Sequence, residues 1–180
     1  MDEEMEAIRK NKTCCVTDRP AGRRVLKGKW LYKVKNEVHK NGNNKTRHKA
    51  RLRFMGNRQI KGLEFNETFA PVAKFTTIRC ILAMMAANGW EQYEMDVKMF
   101  CLKGDLDEEI NMQQPEGHVD STYPDTVCRL LQALYGLKQA PKIWYAKLDD
   151  FLKSQGFDNI YPDACLYLLM DDSSIIIVLV

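Results

Sequence analysis

The sequence predicts an α+β fold in which antiparallel strands pack with a few helices. Three observations carry that prediction. Alternating runs at 25–38 and 46–55 flank an Asn-Gly turn signal in KNGNNK (40–45), the pattern of a long β-hairpin. The run TTIRCILAMMAAN (76–88) places Ile78, Ile81, Leu82 and Met85 at helical spacing. Two apolar runs, 165–169 and 175–180, flank Asp171, Asp172, Ser173 and Ser174, which fit a hairpin tip.

Taken in order, residues 2–10 read as a short helix, with acids in the first turn and Arg9 and Lys10 in the last, as the helix dipole favours. Arg19, Pro20, Ala21 and Gly22 make a turn. The hairpin has two faces. Trp30, Tyr32 and Val34 with Ala50, Leu52 and Phe54 form an apolar one; Lys29, Lys33, Lys35, His48 (or Lys49), Arg51 and Arg53 form a basic one. Thr76 or Thr77 can cap the helix at 76–88 and Gly89 can close it. Being apolar nearly all round, this helix is expected to be buried in the core.

Residues 92–104, QYEMDVKMFCLKG, open with Tyr93, Met95 and Val97 alternating against Glu94, Asp96 and Lys98. Such alternation reads as a half-buried strand carrying Asp96, with Gly104 and the acids at 105–109 ending it in a turn. A carboxylate on a rigid strand suits a hard metal ion, although on this stretch alone a solvated Asp on an exposed face is the favoured reading. Further strands are expected at 109–113 and 127–131, with a loop at 118–125. Tyr135 and Gly136 mark a turn, and Pro141 suits the first turn of a helix running to about Gln155, with Gly156 as its stop.

Charge is unevenly spread along the 180 residues, whose net charge is only +3. Residues 19–58 hold fourteen Lys or Arg against the single acid Glu37, whereas from Lys61 onward acids outnumber bases 18 to 10. A basic block beside an acidic remainder suits nucleic acid on one part and metal on the other; a solvated basic hairpin is the alternative. None of the six cysteines forms a Cys-x-x-Cys pair or falls at zinc-finger spacing with a histidine. Cys80, Cys128 and Cys165 lie in apolar runs and read as buried small hydrophobes, which fits a reducing compartment. The acidic, amphipathic start is no secretory signal, and the longest apolar run, 175–180, is too short to span a bilayer. The expected location is cytoplasmic or nuclear, with no membrane partner.

Longer motifs carry a resemblance. KGKWLYKVK (27–35), KARLRFMG (49–56), ETFAPVAKFTTIR (67–79), MDVKMFCLKGDLDEEINMQQPEG (95–117) and LYGLKQAPKIWYAKL (134–148) together resemble the reverse transcriptase of copia-type long-terminal-repeat retrotransposons, from about Met5 to Val180. The resemblance implies a right-hand polymerase architecture: a truncated domain over 1–180, with a fingers-like basic hairpin region at 1–75 and a partial palm at 76–180. It implies RNA-directed DNA polymerisation with Mg²⁺, an RNA template, a DNA primer and deoxynucleoside triphosphates. It also implies a Pol polyprotein setting, with integrase upstream and ribonuclease H downstream. Asp96 matches the family's first catalytic, metal-binding Asp. Lys49 and Arg51 match the fingers cations that meet the nucleotide's triphosphate, or they are simply a solvated hairpin face. Tyr135, Gly136 and Gln139 match the loop near nucleotide and template, or make only a tight turn before a helix. Trp144 and Tyr145 read as packing residues.

The match also fails in places. The family's second metal-binding unit, Tyr-Val-Asp-Asp, would fall just beyond Val180, so the chain alone is expected to be inactive. Met170-Asp171-Asp172 imitates a retroviral Tyr-Met-Asp-Asp but matches a variable hairpin turn. Phe100 and Cys101 stand where the family has Ala-Phe, which puts the ribose-excluding aromatic in doubt. Phe54, Met55, Gly56 and Asn57 replace an Ala-Lys-Gly-Phe, and Cys14 stands near a family Trp. Two alternatives stay open: an active compact polymerase using Asp96, Asp171 and Asp172, and a non-enzymatic nucleic-acid-binding remnant.

Overall fold

The computed structural model describes residues 1–38, 44–97 and 104–180, and these form two compact units. Each unit is built from two separate stretches of chain: Met1–Thr68 with Met99–Ile143, and Phe69–Lys98 with Trp144–Val180.

In the first unit α1 (Asp2–Lys10) has the acids Asp2, Glu3 and Glu4 in its first turn and buries Met5 and Ile8, three residues apart on one face. A mixed sheet follows the order β1 (Cys14–Thr17), β6 (Val127–Gln132), β5 (Asp105–Gln113), β2 (Val25–Leu26). β6 pairs antiparallel with both neighbours, and β2 pairs parallel with β5. Strands β3 (Gly28–Val38) and β4 (Asn44–Phe54) form the long antiparallel ladder that the alternating sequence predicts. The tip signal KNGNNK falls largely on residues 39–43, outside the described residues. Trp30, Leu52 and Phe54, from the base of the ladder, join Ile110, Met112 and Leu130 of the sheet in one core. Farther out, Tyr32 and Val34 are exposed, so the apolar face is buried only at its base.

In the second unit α2 (Phe75–Asn88) ends at Gly89 in the left-handed region, as the sequence predicts. β7 (Asp158–Asn159), β8 (Leu166–Met170) and β9 (Ile175–Leu179) form an antiparallel sheet in that order. Helix α3 (Ala140–Ser154) starts within the first unit and continues in the second from Trp144. Tyr167 is fully buried, and its hydroxyl donates to Asp149 Oδ1 at 2.9 Å; the Tyr145 hydroxyl donates to the carbonyl of Ala164 at 2.8 Å.

Four expectations are corrected. Helix α2 has no buried residue: Ile78, Ile81 and Met85 turn toward β9, while Cys80, Leu82 and Met84 are exposed. Its all-round apolar pattern demands covering on several sides, and within this unit only one side is covered. Cys128 and Cys165 are buried as expected, but Cys80 is not. Residues 91–97 are irregular, because no strand among the described residues pairs with them, and alternation alone does not make a strand without a ladder. Lastly, the acids at 105–109 do not make a turn. They belong to β5, with a register irregularity between Asp105 and Ile110.

Candidate nucleic-acid and nucleotide site

The β3–β4 register puts the cations together. Lys29 faces Arg53, Lys33 faces Lys49, Lys35 faces Arg47, and Leu31 faces Arg51. Directly paired residues, and every second residue along a strand, share a face. Seven cations therefore cover one face of the ladder. Like charges placed directly opposite destabilise a sheet, so the arrangement costs stability that an anion would return. Loss of solvation and the neighbouring Arg51, Lys35 and Arg47 pull the Lys49 ammonium below the usual lysine range. Only weak compensation comes from α1. Glu3 lies 3.8 Å from Arg47 with both side chains exposed, and Glu4 Oε1 accepts the backbone N–H of Leu52 at 3.3 Å.

Residues 134–139 close over the end of this ladder. The Phe54 N–H donates to the carbonyl of Tyr135 at 2.6 Å, and the Arg51 guanidinium lies 4.9 Å from the Tyr135 ring centre. Gly136 adopts φ +97, and a Cβ there would sit 2.2 Å from the Phe54 carbonyl oxygen and 2.6 Å from Arg53 Cγ. A Cβ on Gly56 would sit 2.0 Å from the carbonyl oxygen of Gly136. Both glycines are therefore required by close backbone approach, and Gly136 by its left-handed conformation as well.

Gln139 is buried. Its amide donates to the Glu64 carbonyl at 2.9 Å and to Glu108 Oε2 at 3.2 Å, and its oxygen accepts from Gln59 Nε2 at 3.0 Å. Gln59 Oε1 in turn accepts the backbone N–H of Lys138 at 2.9 Å. Glu64 is also buried, and its carboxylate accepts from Arg24 at 2.9 Å and from the Ile60 N–H at 2.7 Å. Gln139 thus spends both amide hydrogens inside the protein and holds the 134–139 turn against residues 59–64, while Tyr135 and Arg51 stay at the edge of the basic face. Sequence reading passed over Gln59 and Glu64, since no periodicity or turn signal marks a buried polar residue in an irregular segment.

The three acids considered for metal binding, Asp96, Asp171 and Asp172, sit in the second unit. Asp96 is exposed in the irregular segment 91–97. Asp171 lies in the β8–β9 turn, where the ladder closes with Met170 opposite Ile175. Its Oδ1 accepts the N–H groups of Ser173 and Ser174 at 2.8 and 2.7 Å and the Ser173 hydroxyl at 3.0 Å, while Oδ2 accepts the Ser174 hydroxyl at 2.9 Å. These bonds hold the carboxyl near 2, well below the usual range. The pair Asp171-Asp172 is a hairpin tip, as its serines predict, and the Asp171 oxygens are engaged locally. Among the described residues no three His, Cys, Asp or Glu side chains converge as a metal-ligating group. The described carboxylates therefore do not fit a pair of divalent ions, which need several shared oxygen ligands. Another carboxylate does structural work: buried Asp163 accepts the N–H groups of Lys74 and Cys165 at 2.9 and 3.0 Å. The Thr77 hydroxyl first, and then these two N–H groups, hold it below its ordinary value, and together they fasten the start of α2.

Residues 11–180 match the family described as reverse transcriptase (RNA-dependent DNA polymerase). Over 168 residues, 93% of its length, the chain is 48% identical to the retrovirus-related Pol polyprotein from transposon TNT 1-94 of Nicotiana tabacum. It is 46% identical over 134 residues, 74% of the chain, to that from transposon RE2 of Arabidopsis thaliana. To that from transposon RE1 of the same plant it is 36% identical over 181 aligned residues, covering the whole chain. The chain spans 12%, 9% and 12% of the lengths of these three relatives. No solved structure matches it.

Proposed function

This chain belongs to the reverse transcriptase (RNA-dependent DNA polymerase) family, and we propose that it supplies the template-gripping and nucleotide-facing part of a copia-type retrotransposon polymerase. The observation that carries this reading is the single basic face of the β3–β4 ladder, bordered by the Tyr135–Gly136 turn. Phosphate oxygens are the ligands that such a face suits: they offset the repulsion among Lys33, Lys49, Lys35 and Arg47, and arginine adds bidentate geometry.

In this reading the ladder is the fingers and the stretch holding Asp96 belongs to the palm of a right-hand polymerase. Lys49 and Arg51 meet the triphosphate of the incoming deoxynucleotide. Tyr135 and Gly136 border the nucleotide and template, and Gln139 positions their turn from inside. The partners are an RNA template, a DNA primer and the remainder of a Pol polyprotein, with integrase before and ribonuclease H after this segment. The proposed setting is the cytoplasm or nucleus.

Reverse transcriptases work with a divalent metal ion, Mg²⁺ in the family this chain resembles. In this reading Asp96, by its match to the family's motif, is the carboxylate that would bind it, and the described acids do not gather into a metal-ligating group around it. The chain alone is therefore proposed to bind nucleic acid without extending a primer. Two measurements test this. Binding of single-stranded RNA should weaken steeply with salt, with a slope of about 0.7 per neutralised phosphate in logarithmic units; salt-independent binding would overturn the basic-face reading. Primer extension on an RNA template with Mg²⁺ should give no product. Product that disappears in Asp96→Asn would show that the chain is a complete catalyst.

A further inference from the structure

We infer that Cys14 and Cys128 form a redox-active dithiol that a small peroxide can convert to an intramolecular disulfide. This is independent of the polymerase reading. In the β1–β6 ladder Cys14 pairs with Leu130 and Val16 pairs with Cys128. All four side chains therefore share one face of the sheet, and Cys14 and Cys128 are diagonal neighbours across the strands. Both line a cavity of about 500 Å³ together with Arg9, Val16 and His118. Cys128 is buried and Cys14 half-buried, so the cavity is the route by which a small oxidant reaches the pair. Cys15 points to the opposite face, where its thiol contacts the carbonyl of Arg129 at 3.8 Å.

The local chemistry divides the roles. A hydrogen bond from the Cys128 thiol, followed by the charge of Arg9, lowers Cys14 despite its burial. The same thiol–thiol contact, with burial, raises Cys128. Cys14 is thus the attacking thiolate and Cys128 the resolving thiol. The Cys14 sulfur attacks one peroxide oxygen, the O–O bond breaks, and Cys14 becomes a sulfenic acid while the departing hydroxide takes up a proton to become water. The Cys128 sulfur then displaces the sulfenic hydroxyl, which leaves as a second water carrying the Cys128 proton. The two thiols lose two electrons in total and the peroxide gains them. Diagonal neighbours stand about 7 Å apart at Cα, near the outer limit for a disulfide, so closure requires a small shift of a strand. β1 is the strand able to make it, being four residues long and at the sheet edge.

The test uses the full 180-residue chain carrying Cys15→Ser, so that Cys14 is the only thiol in its peptide. Hydrogen peroxide is added to the folded protein at low concentration. The expected result is a loss of two hydrogens from the intact monomer mass and, after digestion without reductant, a linked peptide pair containing Cys14 and Cys128. Cys14→Ser added to that chain should abolish the link and leave Cys128 reduced. A Cys15→Ser chain that keeps both thiols free under peroxide overturns the inference, as does linkage of Cys128 to any other cysteine. Because Cys128→Ser risks unfolding, the second measurement is maleimide labelling of the oxidised Cys15→Ser chain after denaturation. Two fewer reactive thiols than in the untreated chain supports the pair, and an unchanged number overturns it.

Discussion

The Arg51 guanidinium carbon lies 4.9 Å from the centre of the Tyr135 ring, joining a strand of the basic ladder to the turn that borders it. The contact fixes a flexible cation beside a flat aromatic face, a pairing that also suits stacked bases. Arg51→Ala and Tyr135→Ala are each expected to weaken RNA binding. Their double-mutant cycle should show a coupling of about 0.5–1 kcal/mol, the usual size for an exposed cation–π pair. Arg51→Lys should keep the salt slope yet lose the coupling. Strictly additive losses would show that the contact carries no binding energy.

Lys49→Ala and Arg51→Ala together should reduce the salt slope by about 0.7 for each phosphate that the ladder no longer neutralises. Glu3→Ala removes only an exposed ion pair 3.8 Å from Arg47 and should leave stability nearly unchanged, within about 0.5 kcal/mol. It should still strengthen RNA binding slightly by freeing Arg47. Titrations at several salt concentrations measure both variants, and an unaltered slope in the double variant would place the phosphate-binding surface elsewhere.

Gly136→Ala is expected to be severe. Its Cβ would overlap the Phe54 carbonyl oxygen at 2.2 Å in a backbone held at φ +97. Both faults act on the hydrogen bond from Phe54 N–H to the Tyr135 carbonyl, so the turn must leave the ladder. A loss of about 3 kcal/mol or more is expected, lowering Tm by on the order of 10 °C for a chain of this size. A thermal melt within about 2 °C of the parent would show that the turn relaxes freely.

Much of this fold was legible because its signals are local. The ladder follows from alternation, α1 from its charge order, and the β8–β9 turn from its Asp and Ser residues. Asp171 caps its own turn through Ser173 and Ser174, which is why a catalytic-looking pair reads as a hairpin tip from the sequence alone. What failed was non-local. Tyr93, Met95 and Val97 alternate like a strand, but a strand exists only with a partner, and periodicity carries no information about the partner. The Gln59–Gln139–Glu64 contacts were equally invisible, because they join residues far apart in sequence and obey no repeat. The basic face could be read from the sequence; the tuning of its edge by Gly56 against Gly136 could not.

Asp171 gives the β8–β9 turn a pH dependence of known sign. Its folded carboxyl titrates near 2, below its ordinary unfolded value of about 3.9, because four hydrogen bonds favour the charged form. A depressed carboxyl contributes stability that is fully present above the unfolded value and lost as pH falls through the folded one. The turn should therefore stay ordered above pH 4 and loosen between about 4 and 2, whereas Asp171→Ala should lose that step and be destabilised at neutral pH. Amide exchange at Ser173 and Ser174 reads the effect directly. Mg²⁺ should leave these amides unchanged at neutral pH, and a Mg²⁺-dependent shift there would reopen a metal role for Asp171.

The exposed side of α2 makes the strongest demand on this structure. The helix is apolar nearly all round, yet Cys80 is exposed while Cys165 is buried to 1% of its surface. Burial and the nearby Asp163 also raise the Cys165 thiol, so less of it is thiolate at neutral pH. Maleimide at pH 7 should therefore modify Cys80 rapidly and Cys165 only through local opening, with rates separated by about two orders of magnitude if opening costs about 3 kcal/mol. Cys15, also exposed, serves as the internal standard for a reactive thiol. The comparison must be made across a dilution series, because a helix with this much apolar surface is a candidate for self-association. Rapid modification of Cys80 at every concentration supports a solvent-facing α2. Protection that disappears on dilution would mean that a second copy covers the helix, and protection equal to that of Cys165 at every dilution would mean that the chain itself covers it, as the sequence pattern alone predicts.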